Sequence, residues 1–156
     1  MIKLTRIDDR LVHGQVAFTW TPALGVNCLL IANDKVAKDE FLKMTLGLAK
    51  PAGTKLLIKS LADAATFLND EKSRNMKILL IINSVKDAYA LVNEVAEIKS
   101  VNFGGIRMID GTRLISKAVA VNDEDVTLIK ELLNKGIELE LRQVPTDTKQ
   151  MVAGLI

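Results

Sequence analysis

Ile78-Leu79-Leu80-Ile81-Ile82 is an unbroken aliphatic run, with Lys77 before it and Asn83-Ser84 after it. It lacks the alternation of a strand with one wet face, and it is far short of the roughly 20 residues a membrane span needs. A strand covered by helices on both faces reads this way, and such strands belong to parallel sheets. Working outward, further β-type runs cover Ile2 to Ile7, Val26 to Ala32, Lys55 to Ile58, Val101 to Phe103, Ala118 to Val121 and Ile137 to Val144. Helical spacing fills the gaps. Asp34 to Ala49 carries Val36, Phe41, Met44, Leu46 and Leu48, and stops near Pro51 and Gly53. Ser60 to Asn69 opens on a good N-cap. Ser84 to Ile98 and Asn122 to Lys135 follow, the latter with an acidic first turn and Gly136 as its stop. This alternation predicts an α/β fold, a mainly parallel sheet flanked by helices, in one domain over residues 1–156.

Composition removes several functions. The chain has 156 residues, a formal net charge of +2 and 49% hydrophobic residues, enough to bury roughly 70% of its unfolded surface. A near-neutral balance and six aromatics (Phe18, Trp20, Phe41, Phe67, Tyr89, Phe103) supply neither a basic patch nor a stacking platform for nucleic acid. One cysteine, Cys28, and one histidine, His13, exclude an internal disulfide and most transition-metal sites. No Gly-x-Gly-x-x-Gly follows the first strand and no phosphate-binding P-loop is present, which argues against a nucleotide- or dinucleotide-binding domain; no metal or other cofactor is expected. The N-terminus reaches Asp8, Asp9 and Arg10 too soon for a signal-peptide core, and the chain reads as a cytoplasmic domain.

Open parallel sheets bind ligands beyond the carboxyl ends of their strands. Those ends are Asp8 to Gly14, Asn33-Asp34, Asn83-Ser84 and Phe103-Gly104-Gly105. The first holds the single histidine, in Arg6-Ile7-Asp8-Asp9-Arg10-Leu11-Val12-His13-Gly14-Gln15-Val16, with Ala17 to Trp20 as a candidate first helix. Such a loop suits a phosphorylated histidine. An imidazole nitrogen is a competent nucleophile towards phosphorus. Arg10 can grip two phosphoryl oxygens, a helix start can donate backbone N–H groups, and Gly14 leaves the backbone bare. The plainer reading is that His13 is an ordinary loop histidine and that Arg6, Asp8, Asp9 and Arg10 form a structural ion-pair cluster. Trp20 reads either as docking face or as core, Cys28 as core and Asp110-Gly111 as a turn.

The motif from Arg6 to Val16 resembles the phosphorylation site of the mannose/sorbose-family IIB components of the bacterial phosphoenolpyruvate-dependent sugar phosphotransferase system (PTS). The resemblance continues through Ile31-Ala32-Asn33-Asp34, Val101-Asn102-Phe103-Gly104-Gly105-Ile106 and Arg142-Gln143-Val144-Pro145-Thr146-Asp147. It implies a sheet with an antiparallel edge. It implies a carrier that takes a phosphoryl group on Nδ1 of His13 from a phosphohistidine (Nε2) on a IIA protein. The group then passes to a sugar imported by membrane components IIC and IID, so the carrier would associate peripherally with the transporter. Arg10 and Arg6 match arginines at the phosphoryl pocket. Gly14 and Gln15 would donate backbone hydrogen bonds. Asn83-Ser84 matches a loop facing the histidine, so Ser84 is either a phosphoryl ligand or a helix N-cap; the family's usual proline is absent there. Asp8 either holds the loop through ion pairs or hydrogen-bonds the imidazole. The competing function is a non-catalytic regulatory or small-ligand-binding domain on the same fold.

Overall fold

The structure, a computed structural model, describes residues 1–14 and 16–156. Strand β1, Ile2–Asp8, lies at the centre of the main sheet. On one side it pairs in parallel with β4, Ile78–Ile82, followed by β2, Cys28–Ala32, and β3, Lys55–Lys59, at the edge. On the other side it pairs in parallel with β5, Ser100–Gly105, which pairs with β8, Glu138–Leu141. A final strand, β9, Gln150–Met151, runs antiparallel to β8 and forms the second edge. The sheet is therefore mainly parallel with an antiparallel edge. A short ribbon of β6, Arg113–Leu114, and β7, Ala120–Val121, stands apart.

The aliphatic run at β4 is buried at every position, and its two faces enter different cores. Ile78, Leu80 and Ile82 pack under helices α4, Leu61–Asn69, α5, Val85–Glu94, and α6, Asp123–Asn134. Leu79 and Ile81 face the opposite layer with Leu29, Ile31, Val16 and Trp20. That layer holds the short helices α1, Thr21–Leu24, and α2, Asp34–Ala37, and the longer α3, Glu40–Leu48. The two-sided burial is why no polar residue interrupts the run.

The single helix expected over Asp34 to Ala49 is broken at Lys38-Asp39. Asp39 is extended and its side chain accepts the N–H of Leu42, which starts α3 afresh. The helix expected directly after His13 is a five-residue π-helical turn, Val16–Trp20, running into α1. Gly136 ends α6 as expected, at φ +81°.

Connectivity sets the position of the site. From β1 the chain moves to β2 and β3 on one side and returns through β4 before reaching β5 on the other. The order reverses about β1, and the loop leaving β1 emerges at that switch point.

Candidate functional site

The polar residues of the site stand in a row dictated by strand register. Residues two apart on a strand share a face. Leu4, Arg6 and Asp8 follow one another on the Trp20 side of β1. Arg6 pairs with Asn102 on β5, and Asn102 pairs with Glu140 on β8. Arg6, Asn102 and Glu140 thus form a buried polar line across three strands, on the face that is aliphatic elsewhere in the sheet. Asn102 bridges it, accepting from Arg6 Nη1 at 2.7 Å and donating to Glu140 Oε1 at 3.0 Å.

At the end of β1 the chain turns sharply. The N–H of Leu11 donates to the carbonyl of Asp8 at 2.9 Å, and Leu11 itself adopts φ 59°, a left-handed conformation costly for a branched residue. Its side chain is buried, so the turn is held from both ends. This brings His13 back over Asp8. Nε2 of His13 lies 2.8 Å from Asp8 Oδ2. The carboxylate can only accept, so Nε2 carries the proton and donates it. Nδ1 is then the nitrogen with the free lone pair. The His13 side chain is 16% exposed and that of Asp8 1%.

Both oxygens of Asp8 are engaged. Oδ2 also accepts from Arg6 Nη2 at 3.3 Å, and Oδ1 accepts the N–H of Arg10 at 3.1 Å. Burial pushes the carboxyl upward, but the His13 hydrogen bond and charge, the Arg10 amide and Arg6 outweigh it. The net effect is to hold Asp8 below the usual carboxylate range. Both readings of Asp8 from sequence are therefore realised together: it hydrogen-bonds the imidazole and pairs with arginine.

The two arginines part company. Arg10 is 53% exposed, with Nε 3.8 Å from Asp8 Oδ1, and its guanidinium is open to solvent beside the loop. Arg6 is 0% exposed, a correction to the expectation that both line a phosphoryl pocket. Its Nη atoms are occupied by Asn102, Asp8 and the carbonyls of Arg142 and Gln143. Trp20 is buried rather than a docking surface. Its ring lies 5.1 Å from the guanidinia of both Arg6 and Arg142, and its Nε1 donates to the Gln143 carbonyl.

The remaining expectations fall out unevenly. Ser84 Oγ accepts the N–H of Asp87 at 3.1 Å, so it caps α5. Ile82 pairs with Ile7, so Asn83-Ser84 leaves the sheet one strand from the end of β1. Gly14 is exposed, and a Cβ there would only touch Phe18 at 3.9 Å, so the position is open rather than tight. Gln15 lies outside the described residues. Cys28 is buried, which pushes its thiol up and leaves it inert.

Sequence reading passed over Arg107, Lys117 and Glu140, which complete the neighbourhood. Asp9 accepts from Arg107 through both N–H and Nε–H, at 2.8 and 3.0 Å, tying the loop to the exit of β5. Gln143 donates to the Gly104 carbonyl. A cleft of about 410 Å³ opens beside Arg10, walled by Asp9, Gly104, Gly105, Arg107 and Lys117. A polar residue between apolar ones was the available signal for Asn102 in Val101-Asn102-Phe103 and for Glu140 in Leu139-Glu140-Leu141. Among the described residues no cluster of histidine, cysteine and carboxylates is suited to a metal ion. No helix among them is long and apolar enough to cross a membrane.

Comparison with known proteins agrees with this geometry. Residues 2–156 match the family described as PTS system sorbose subfamily IIB component. A probable phosphotransferase enzyme IIB component from Streptococcus pyogenes serotype M6 is 38% identical over 162 residues, covering all of this chain and 99% of that protein. The PTS mannose-specific EIIAB component of Escherichia coli K12 is 36% identical over 156 residues; here the chain spans about half the relative, 48% of its length. The crystal structure of the IIBSor domain of the Klebsiella pneumoniae sorbose permease superposes with a TM-score of 0.94 at 30% identity, covering 99% of this chain and 95% of that one. With a mainly parallel sheet and its single histidine at the switch point, the chain belongs to the mannose/sorbose family of PTS IIB components.

Proposed function

We propose that this IIB component carries a phosphoryl group on Nδ1 of His13, taken from a phosphohistidine on a IIA protein and delivered to a sugar held by membrane components IIC and IID. The observation that carries this reading is the 2.8 Å hydrogen bond from His13 Nε2 to a buried, ionised Asp8. It commits the imidazole proton to Nε2 and leaves the lone pair on Nδ1 to act as the nucleophile. In the first half-reaction Nδ1 attacks the donor's phosphorus. The P–N bond of the donor breaks and its electron pair returns to the donor imidazole. In the second, a sugar hydroxyl attacks the phosphorus, the P–Nδ1 bond breaks with its electrons returning to His13, and the hydroxyl proton leaves to solvent. No cofactor is needed, because both steps ask mainly for positioning and charge stabilisation.

Arg10 is the residue we assign to the phosphoryl oxygens. Its guanidinium is half exposed, held near the loop by Asp8 yet free to turn towards a group on His13. Arg107 and Lys117 extend the positive wall of the cleft beside it. Gly14 leaves open space next to His13 for the transferring group. The carrier works in the cytoplasm, docking peripherally on its transporter. Relatives named for sorbose, mannose, fructose and N-acetylgalactosamine support a hexose or hexose derivative as the sugar.

The deciding experiment is phosphoryl transfer from a phosphorylated IIA protein, read by intact mass and acid lability. One acid-labile phosphoryl group per chain is the expected result. No transfer with several active donors would favour the regulatory reading of the fold. Arg10→Ala should slow acceptance about 100-fold, as for loss of one preorganised charge-stabilising group, measured by rapid quench. An unchanged rate would confine Arg10 to holding Asp8. Ser84→Ala should behave differently. Its hydroxyl is committed to capping α5, so thermal denaturation should show a loss of about 1 kcal/mol while transfer stays near wild type. A large loss of transfer would return Ser84 to the phosphoryl pocket.

A further inference from the structure

We infer that Arg6 is a positioning residue: from the buried side of Asp8 it fixes the carboxylate that orients His13, and it acts on the phosphoryl group only through that carboxylate. This deepens the reading of His13 as the phosphoryl acceptor and rests on it.

Arg6 cannot reach the reacting atoms. Its guanidinium has no solvent exposure, its Nη atoms are spent on Asp8, Asn102 and two main-chain carbonyls, and its Nε is buried without a partner among the described residues. Keeping so costly a group in the interior calls for a compensating role. The surroundings are shaped for it. A Cβ on Gly104 would overlap the guanidinium, so only glycine admits Arg6 at this point of β5. Trp20 covers the guanidinium from the other layer. Of the other groups facing Asp8, His13 and Arg10 sit on the loop and Arg10 is half exposed. Glu140, paired with Arg142, lies one step away behind neutral Asn102. Arg6 is thus the fully buried cation in direct contact with the carboxylate.

The chemistry follows from donor and acceptor roles. With Arg6 in place Asp8 stays ionised and only accepts, which keeps the proton on His13 Nε2. Without that charge, a carboxyl so deeply buried takes up a proton more readily. A protonated Asp8 donates to Nε2, so the imidazole proton moves to Nδ1 and the nucleophilic lone pair is lost.

His13 is the only histidine, so long-range ¹H–¹⁵N spectra of the labelled full chain report its tautomer without ambiguity. Wild type should show Nε2–H. Arg6→Met should show a substantial Nδ1–H population. The acidic limb of its phosphoryl-acceptance profile should move up by about one pH unit, a roughly tenfold loss at a fixed pH on that limb. Arg6→Lys should bring the limb back towards wild type but not the full rate, because an ammonium lacks the planar fork that serves four acceptors. A folded Arg6→Met with wild-type tautomer and profile would overturn the inference. Should Arg6→Met fail to fold, Gly104→Ala displaces the guanidinium while keeping its charge. The same tautomer change is expected there, and its absence from folded protein would overturn the inference equally. If wild type accepts no phosphoryl group from any active donor, the carrier reading fails, while the tautomer comparison still decides the role of Arg6.

Discussion

Phosphoryl acceptance should vanish in His13→Ala while the fold survives. The proposed acceptor is one nitrogen on the only histidine, and no other side chain at the loop offers an equivalent nucleophile: Asp8 is buried and accepts three hydrogen bonds, and the arginines are cations. The loss should therefore be complete rather than partial, with no acid-labile phosphoryl group detectable by intact mass. The cost to the fold is small because the ring contributes to neither aliphatic core. What disappears is one charge-assisted hydrogen bond, worth about 1.5–3 kcal/mol, or a Tm lowered by several degrees for a chain of this size. A second consequence has a definite sign. Asp8 is held low in the fold, so its contribution to stability is present above its unfolded value near 4 and is lost as pH falls through the lower native value. The His13 hydrogen bond is the largest of the effects lowering it. His13→Ala should therefore raise the native value and shrink this contribution, an outcome visible as reduced acid resistance in denaturation at pH below about 4. Normal labelling of the variant would remove His13 from the reaction altogether.

The contrast between Arg6 and Arg10 shows what sequence alone could and could not yield. Local spacing carried the fold far. The aliphatic run at β4 named a doubly covered strand, and Gly136 named the end of α6. The loop after β1 was identified because parallel sheets use that end of a strand. Two arginines four residues apart looked alike, however, and only long-range register separates them. Arg6 is on a strand facing Asn102, 96 residues away, and its carbonyl partners lie at Arg142 and Gln143. Arg10 is on the turn itself, half exposed. The break in the helix at Lys38-Asp39 was local and legible, since Asp39 is a good N-cap; the apolar pattern that continues across it masked the signal. The partnership of Asp9 with Arg107 joins loops 98 residues apart and leaves no trace in local composition.

Asp8→Asn should cost more activity than any substitution except that of His13. The change is nearly isosteric, so it tests the charge and the acceptor character of Asp8 rather than its volume. An asparagine amide can present oxygen or NH₂ to His13 Nε2. When it presents NH₂, the imidazole must carry its proton on Nδ1, and that tautomer cannot attack phosphorus. Where a buried carboxylate fixes the tautomer of a reacting histidine in hydrolases, the same replacement costs about 10⁴-fold. Here the loss should be on the order of 10³-fold in the rate of acceptance, with donor binding little changed, because Asp8 is buried and offers the partner no surface. Stability should fall too. The variant leaves the Arg6 guanidinium buried without its anion, which for a broken buried pair costs about 3–5 kcal/mol and lowers Tm by roughly 10 °C. Rate and stability must therefore be measured at a temperature where circular dichroism shows the variant folded. A second variant separates the two losses. Asp8→Glu keeps the charge and misplaces the oxygens by one methylene, so it should retain the acid limb of the pH profile while transferring slowly. If folded Asp8→Asn accepts phosphoryl groups at the wild-type rate, the proton on Nε2 is not what makes Nδ1 reactive, and the hydrogen bond between these two residues serves the fold alone.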